Sequence, residues 1–360
     1  MKNLLFAAAF LASLLLMGCN KLNPAVCAED GATCELNLHL TDNALTKVTG
    51  TTGTNEARIQ NVQIFVFRTG KDDANSVLDA CTSLGFDGAA VDVSKINLKC
   101  TVGSRHIYAI ANADVDYTAD GSVGTVADLL SKTMMLEKME ADRLLMLGNL
   151  KVDLVSGTQG HSVTVYRACA SVLLESVTNE MQASIYRKDG SFKIKNVYLT
   201  NVPAKINFGQ TIKASSLSES DCWYARMTAE TDSGKNKLIY DAQAETVVNP
   251  GSANANKTAH TFYTFPNDCD SKTDAAWSPR ATRLVIEAMY YDGTAWRDCY
   301  YPITLYKSAP GLEANKQYKV NLTVNRPGSD DPDKPIVFGD LSGTITVADW
   351  FTGESYTETI

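Results

Sequence analysis

The chain is short of the residues that enzymes and metalloproteins most often use. Its 360 residues include four histidines, His39, His106, His161 and His260, widely separated, so no histidine-rich metal site or triad is suggested. No Cys-x-x-Cys pair occurs, which removes zinc ribbons and dithiol redox motifs. There is no G-x-S-x-G elbow, H-E-x-x-H, Walker loop or G-x-G-x-x-G ahead of a helix. Beyond the leader no apolar run approaches the roughly 18 residues that a membrane helix needs. Basic charge is scarce as well: Lys+Arg is 33 against 41 for Asp+Glu, a net charge of -8, which argues against nucleic acid as a partner. No repeat of about 20–50 residues is visible, which argues against a solenoid. Nothing here calls for a cofactor, a metal or a catalytic residue.

What is present suits a folded core: 44% of residues are hydrophobic and 21% charged. The length suggests about two domains. The first residues read as an export signal, with Lys2 ahead of an apolar stretch from Leu4 to Leu16. Leu16-Met17-Gly18-Cys19 then looks like a bacterial lipobox, which makes 1–18 a lipoprotein signal peptide and Cys19 the acylated (palmitate-bearing) first residue. The other cysteines are Cys27, Cys34, Cys81, Cys100, Cys169, Cys222, Cys269 and Cys299, an even number that in an oxidising compartment suggests disulfides. Cys27 with Cys34, and Cys81 with Cys100, are the near pairs, although spacing leaves the connectivity open.

Strand patterns dominate. In Glu35–Thr41, Leu36, Leu38 and Leu40 alternate with polar residues, as in a half-buried strand. Thr46–Asn55 is a Thr/Gly run without periodicity and reads as an exposed loop. Gln60–Arg68 is a strand with Val62, Ile64 and Val66 on one face and Phe65 and Phe67 on the other. Val91–Leu98, Arg105–Asn112, Arg143–Leu150 and His161–Arg167 follow as strands, with a turn at Gly157–Gly160. Thr125–Lys138 is the one helix pattern, opened by a Thr125/Asp128 capping box. From Cys169 onward seven further segments, from Ser171–Val177 to Gln317–Val324, are strand-like between turn residues. The fold class is therefore all-β, two β-sandwich domains with a minor helix in the first and a boundary near residue 167.

The remaining candidates have plain readings. His106 sits in a strand beside Ile107 and Ile110 and reads as a sheet-face residue. Asp330, Asp331, Asp333 and Asp340 could attract calcium, but the spacing is not that of an EF-hand, and the interleaved prolines make the stretch a rigid exposed linker. Trp223, Trp277 and Trp296 could stack on sugars, yet core or edge packing is the commoner use of such residues.

The order of these features resembles the fimbrillins, the type V pilus subunits of Bacteroides-like bacteria. The resemblance is carried by the lipobox at Cys19, Leu36–Leu40, the T-K-V-T-G loop, Val62–Phe67, R-H-I-Y-A-I-A-N, R-L-L-M-L-G at Arg143–Gly148 and V-Y-R-A-C-A-S-V. It continues in N-K-Q-Y-K-V-N-L-T-V, P-G-S-D-D-P-D-K-P and T-I-T-V-A-D-W at Thr344–Trp350, whose order is the most specific feature. The resemblance implies transthyretin-like topology in both domains, no enzymatic activity, and a route to the cell surface. A lipoprotein precursor in the outer membrane is cut by a trypsin-like protease after its first strand. The vacated groove then accepts the C-terminal strand of another copy or another fimbrial subunit, in a fimbrium that serves adhesion.

Carried onto this chain, residues 19–47 form the lipidated segment with the removable strand Leu36, Leu38 and Leu40. Residues 48–167 and 168–340 form the two domains, and 341–360 the donor segment. The cut falls at Lys47–Val48, where the best-known relatives have arginine; Arg58 is the nearest arginine. The donor side chains are Ile345, Val347, Trp350, Phe351, Tyr356 and Ile360. Three or four of them buried would contribute on the order of 5–12 kcal/mol before association costs. Two other readings stand beside this one: a non-polymerising surface lipoprotein that binds glycan or a host ligand, and an accessory or anchor subunit. A tip subunit fits less well, because the sequence continues past Trp350.

Overall fold

A computed structural model describes residues 31–42, 56–69, 72–217, 223–224, 237–251, 253–254, 260–269, 280–305, 311–334, 341–349 and 355–359. The described residues are mainly β with one short α-helix. The first part contains β1 (Thr33–Asp42), β2 (Val62–Arg68), β3 (Leu78–Leu84), β4 (Ile96–Thr101) and β5 (Gly103–Ala111). Then come α1 (Val126–Ser131), β6 (Thr133–Met135), β7 (Met146–Leu154) and β8 (Gly157–Arg167). All of these strands except β6 form a seven-stranded sheet in the order β3-β2-β5-β7-β8-β1-β4.

The sheet is bent where β7 meets β8. The two pair only over Met146–Gly148 against Val165–Arg167. Side chains from β3, β2, β5 and β7 then meet those of β8, β1 and β4 in one buried cluster. Gly148 sits at the bend, where an added Cβ would lie 2.2 Å from the Thr164 carbonyl oxygen. A backbone atom cannot yield as a side chain can, so Gly148→Ala is expected to lower unfolding free energy by about 1–3 kcal/mol. Urea unfolding checks this through a lower midpoint at unchanged slope.

β2 is buried on both faces, as a continuous apolar run requires. Val62, Ile64 and Val66 join the cluster inside the first sheet. Phe65 and Phe67 join a second cluster with Val126 and Leu129 of α1 and with residues from the rest of the chain. The capping box forms as read, Thr125 Oγ1 accepting from the Asp128 N–H and the Asp128 carboxylate from the Thr125 N–H. The helix is shorter than its pattern, however, and ends at Ser131. Lys132 turns extended, its carbonyl accepts from the Phe208 N–H, and Met134 pairs with Ile206. Strand pairing with a distant segment overrides a helix of only a few turns.

Two further expectations are corrected. Gly157–Gly160 is strand rather than turn, because it pairs in parallel with Cys34–Asn37 of β1. The strand expected at 91–98 begins only at Ile96, although the Val93 carbonyl still accepts from the Leu40 N–H.

The rest of the chain supplies β9 (Ala170–Asn179), β10 (Phe192–Thr200), β11 (Val202–Pro203), β12 (Lys205–Asn207), β13 (Trp223–Tyr224), β14 (Tyr240–Val247) and β15 (Ala253–Asn254). It continues with β16 (His260–Thr264), β17 (Arg283–Tyr291), β18 (Trp296–Thr304), β19 (Lys316–Val324), β20 (Leu341–Asp349) and β21 (Ser355–Thr359). One sheet runs β14-β10-β17-β18; another runs β15-β9-β19-β20-β21, with β16 also on β9. Phe192, Ile194, Val285 and Tyr301 of the first meet Val172, Tyr318 and Val320 of the second in a shared core. β11 with β13 and β12 with β6 make small two-stranded pieces.

Candidate strand-exchange site

β1 is placed by its alternation. Leu36, Leu38 and Leu40 are buried, at 0%, 1% and 3% exposure, while Glu35, Asn37 and His39 face out. Its backbone is used on both sides. Thr33–Leu38 pairs antiparallel with Ile96–Thr101, and Cys34–Asp42 pairs in parallel with Gly157–Val165. Among the described residues, β1 is the only strand partner of β4 and of the first half of β8. Without β1 the sheet would present two facing rows of unpaired backbone groups and an apolar slot lined by residues such as Ile64, Ile96, Leu98 and Val163. A strand-sized vacancy of that kind favours strand addition.

β4 has a second tether. The Asp79 carboxylate on β3 accepts from the Thr101 N–H at 2.8 Å and the Thr101 hydroxyl at 2.7 Å. It also pairs with Arg68 at 3.0 Å and Arg105 at 3.1 Å. Burial opposes its charge, but the Thr101 hydroxyl and N–H, Arg68 and Arg105 outweigh burial and hold Asp79 below the ordinary carboxylate value. Sequence reasoning did not identify this group, because its members are distant in the chain and none belongs to a motif.

The segment after the Thr/Gly run is firmly held. Arg167, fully buried, donates through Nε and Nη2 to the Glu56 carbonyl at 3.2 and 3.0 Å, and the Tyr263 hydroxyl donates to the Glu56 carboxylate. The Asn112 side chain donates to the Arg58 carbonyl at 2.8 Å and accepts from the Gln60 N–H at 2.8 Å. Asn112 adopts φ 61°, a left-handed conformation that asparagine tolerates better than most residues. The Arg58 side chain pairs with Asp142 at 3.0 Å. Lys47, Val48, Cys19 and Cys27 lie outside the described residues.

At the other end, β20 pairs along its length with β19, and Ile345 is buried in this chain's own core. Among the described residues β21 pairs with β20 alone, with Val347 opposite Tyr356. Trp350, Phe351 and Ile360 lie outside the described residues.

Cys34 on β1 stands directly opposite Cys100 on β4, with the sulfurs 3.5 Å apart, whereas Cys81 lies on β3 opposite Phe65. Proximity in sequence does not set strand order, and here the order brings together cysteines from the two separate guesses. His106, His161 and His260 have local partners. His106 contacts Asn149 and Tyr108, both at 3.2 Å, and burial lowers its pKa, so it stays neutral as a sheet residue. Lys334 pairs with Asp330, and no group of metal-ligating side chains occurs among the described residues. Trp277 lies outside the described residues, and the ring of Trp296 is covered by Lys193 Nζ at 4.6 Å from its centroid.

These features define a class: a mainly β protein whose first sheet is completed by a strand near the start of its sequence. Residues 32–167 match the family model of the major fimbrial subunit protein (FimA). No curated protein matches the sequence. Among solved structures, a fimbrilin from Porphyromonas gingivalis is similar at 17% identity and TM-score 0.59, over 91% of this chain and 99% of that one. A candidate cell adhesion protein from Bacteroides eggerthii is similar at 22% identity and TM-score 0.60, over 89% and 96%. Another, from Parabacteroides distasonis, is similar at 15% identity and TM-score 0.61, over 90% and 100%. At these identities the likeness is one of fold.

Proposed function

We propose that this chain is a strand-exchanging fimbrial subunit with two transthyretin-like β-sandwiches, exported as a lipoprotein acylated at Cys19 and freed by a trypsin-like cut at Lys47–Val48. The observation that carries this reading is the position of β1. It fills the core between β4 and β8, yet it lies upstream of Lys47, so one cut would detach strand and lipid together. Burying the three leucines contributes on the order of 5–9 kcal/mol, and an incoming strand has to supply a comparable amount.

The two candidate cut sites differ physically. Proteases prefer segments of small and polar residues, and that is the composition around Lys47. The backbone at Arg58–Gln60 is clamped by Asn112, which disfavours cutting there. Arg58→Gln is therefore expected to leave the mature N-terminus at Val48, while Lys47→Gln abolishes that terminus; Edman sequencing of surface-extracted protein reads both. The Glu56 anchor would keep the new N-terminus attached to the body after the cut.

The donor is narrower than residues 341–360 as a whole. Ile345 already fills this chain's own core, so lending β20 would open that core. β21, paired on one side only among the described residues, is the strand that can be lent, with Tyr356 and the neighbouring Trp350, Phe351 and Ile360 as its apolar residues. Partners are thus other copies of the chain or other fimbrial subunits. The head-to-tail contact builds an open filament on the cell surface.

The test is intact mass and N-terminal sequencing of surface-extracted protein beside an unboiled gel. A start at Val48 with a ladder of detergent-resistant multimers supports the reading. An acylated Cys19 on a monomer overturns it in favour of an anchor or a ligand-binding lipoprotein.

A further inference from the structure

We propose that Cys34 and Cys100 form a cross-strand disulfide clasp that locks β1 into the precursor, so that the strand leaves only after reduction as well as cleavage. The bond rests on geometry alone; its consequence rests on the removable-strand reading above.

The two cysteines occupy directly opposed positions of an antiparallel pair, continuous with Leu36 opposite Leu98 and Leu38 opposite Ile96. Opposed Cα atoms in such a pair lie about 4.5–5.5 Å apart, inside the range that a disulfide spans. The sulfurs already stand 3.5 Å apart, both buried in the cluster inside the first sheet, so bonding needs side-chain rotation and no strand movement. One sulfur is on the strand that leaves and the other on a strand that stays. The other cysteines of the described residues, Cys81, Cys169, Cys269 and Cys299, are on or after β3, and none is on β1.

The chemistry is thiol–disulfide exchange with a disulfide-bearing oxidase of the export compartment. One cysteine, as thiolate, attacks the oxidant's disulfide and expels a thiolate. The second cysteine, as thiolate, then displaces the oxidant from the mixed disulfide. Cys34 and Cys100 lose two electrons and two protons, and the oxidant leaves as a dithiol. A dithiol reductant reverses every step. Burial, then the hydrogen bond and charge of Cys34, push the Cys100 thiol up to about 12. Both sulfurs are buried in the cluster inside the first sheet, which shields the finished clasp from reductant in solvent.

The experiment uses purified full-length chain kept non-reduced. Free thiols are alkylated in denaturant and the digest is mapped; a linked pair of peptides bearing Cys34 and Cys100 is expected. Folded protein is then cut with limiting trypsin and passed over gel filtration in native buffer. The β1 fragment is expected to stay with the body, to be lost almost completely on adding dithiothreitol, and to be lost without it in Cys34→Ser. Both cysteines alkylated, or Cys34 linked to Cys27, would overturn the clasp. A fragment that stays bound after reduction would overturn the gate. A linked pair in a chain that trypsin does not cut at Lys47 would overturn the gate and the removable-strand reading together, while leaving the bond established.

Discussion

Leu38→Ala is expected to lower the unfolding free energy of the uncut chain by about 2–5 kcal/mol and to leave the assembled filament unaffected. Leu38 is 1% exposed at the centre of β1, packed in the cluster that the two halves of the first sheet share. Truncation there removes burial and leaves a cavity that paired backbone on both sides cannot collapse to fill. In the uncut precursor this cost is felt in full. In a filament whose subunits have lost residues up to Lys47, position 38 no longer exists. Urea unfolding of the precursor and the temperature at which the multimer ladder dissolves measure the two halves. A ladder that dissolves at lower temperature in the variant would mean that β1 remains in the filament, and that the slot was never vacated.

Asp79→Ala is expected to cost about 3–5 kcal/mol, because it leaves the guanidinium of Arg105 buried without its carboxylate. Asp79 has 1% of its side chain exposed and Arg105 7%, so solvent cannot replace the lost partner. The same change cuts β4 loose from β3, through the two Thr101 hydrogen bonds, at the strand that would be left without a partner when β1 departs. The variant should therefore assemble poorly as well as unfold early. The pH dependence has a definite sign. The folded pKa of Asp79 lies below its model-peptide value of 3.8, so the folded chain holds the carboxylate ionised more readily than the unfolded chain does. The stabilisation is fully present above pH 3.8 and is lost as the pH falls below it through the folded value. Wild type and Asp79→Asn, unfolded in urea at neutral pH and in steps below pH 4, should converge as the pH drops.

Local patterns were legible where one face alone decides. The Leu36/Leu38/Leu40 alternation showed β1 and its buried face, and the apolar run of β2 correctly separated Val62, Ile64 and Val66 from Phe65 and Phe67. The capping box at Thr125 and Asp128 marked where the helix starts. Its end was not legible, since Met134 and Leu136 suit a helix face and a paired strand equally well. β3 was missed because L-D-A-C-T-S-L has no clean alternation and carries the buried Asp79. Gly157–Gly160 has turn composition, and only the parallel partner on β1 makes it a strand.

The sequence by itself determined that the chain is built from strands and that an alternating strand precedes a Thr/Gly-rich stretch. These follow from the period of apolar side chains and from composition, which act over a few residues. Tertiary structure alone decided that β1 lies between β4 and β8, that Cys34 faces Cys100, and that Asp79 ties β4 to the body. It also decided that Ile345 belongs to the chain's own core. Strand order and register are set by long-range backbone pairing and by which faces can be buried together, and no local pattern encodes that choice.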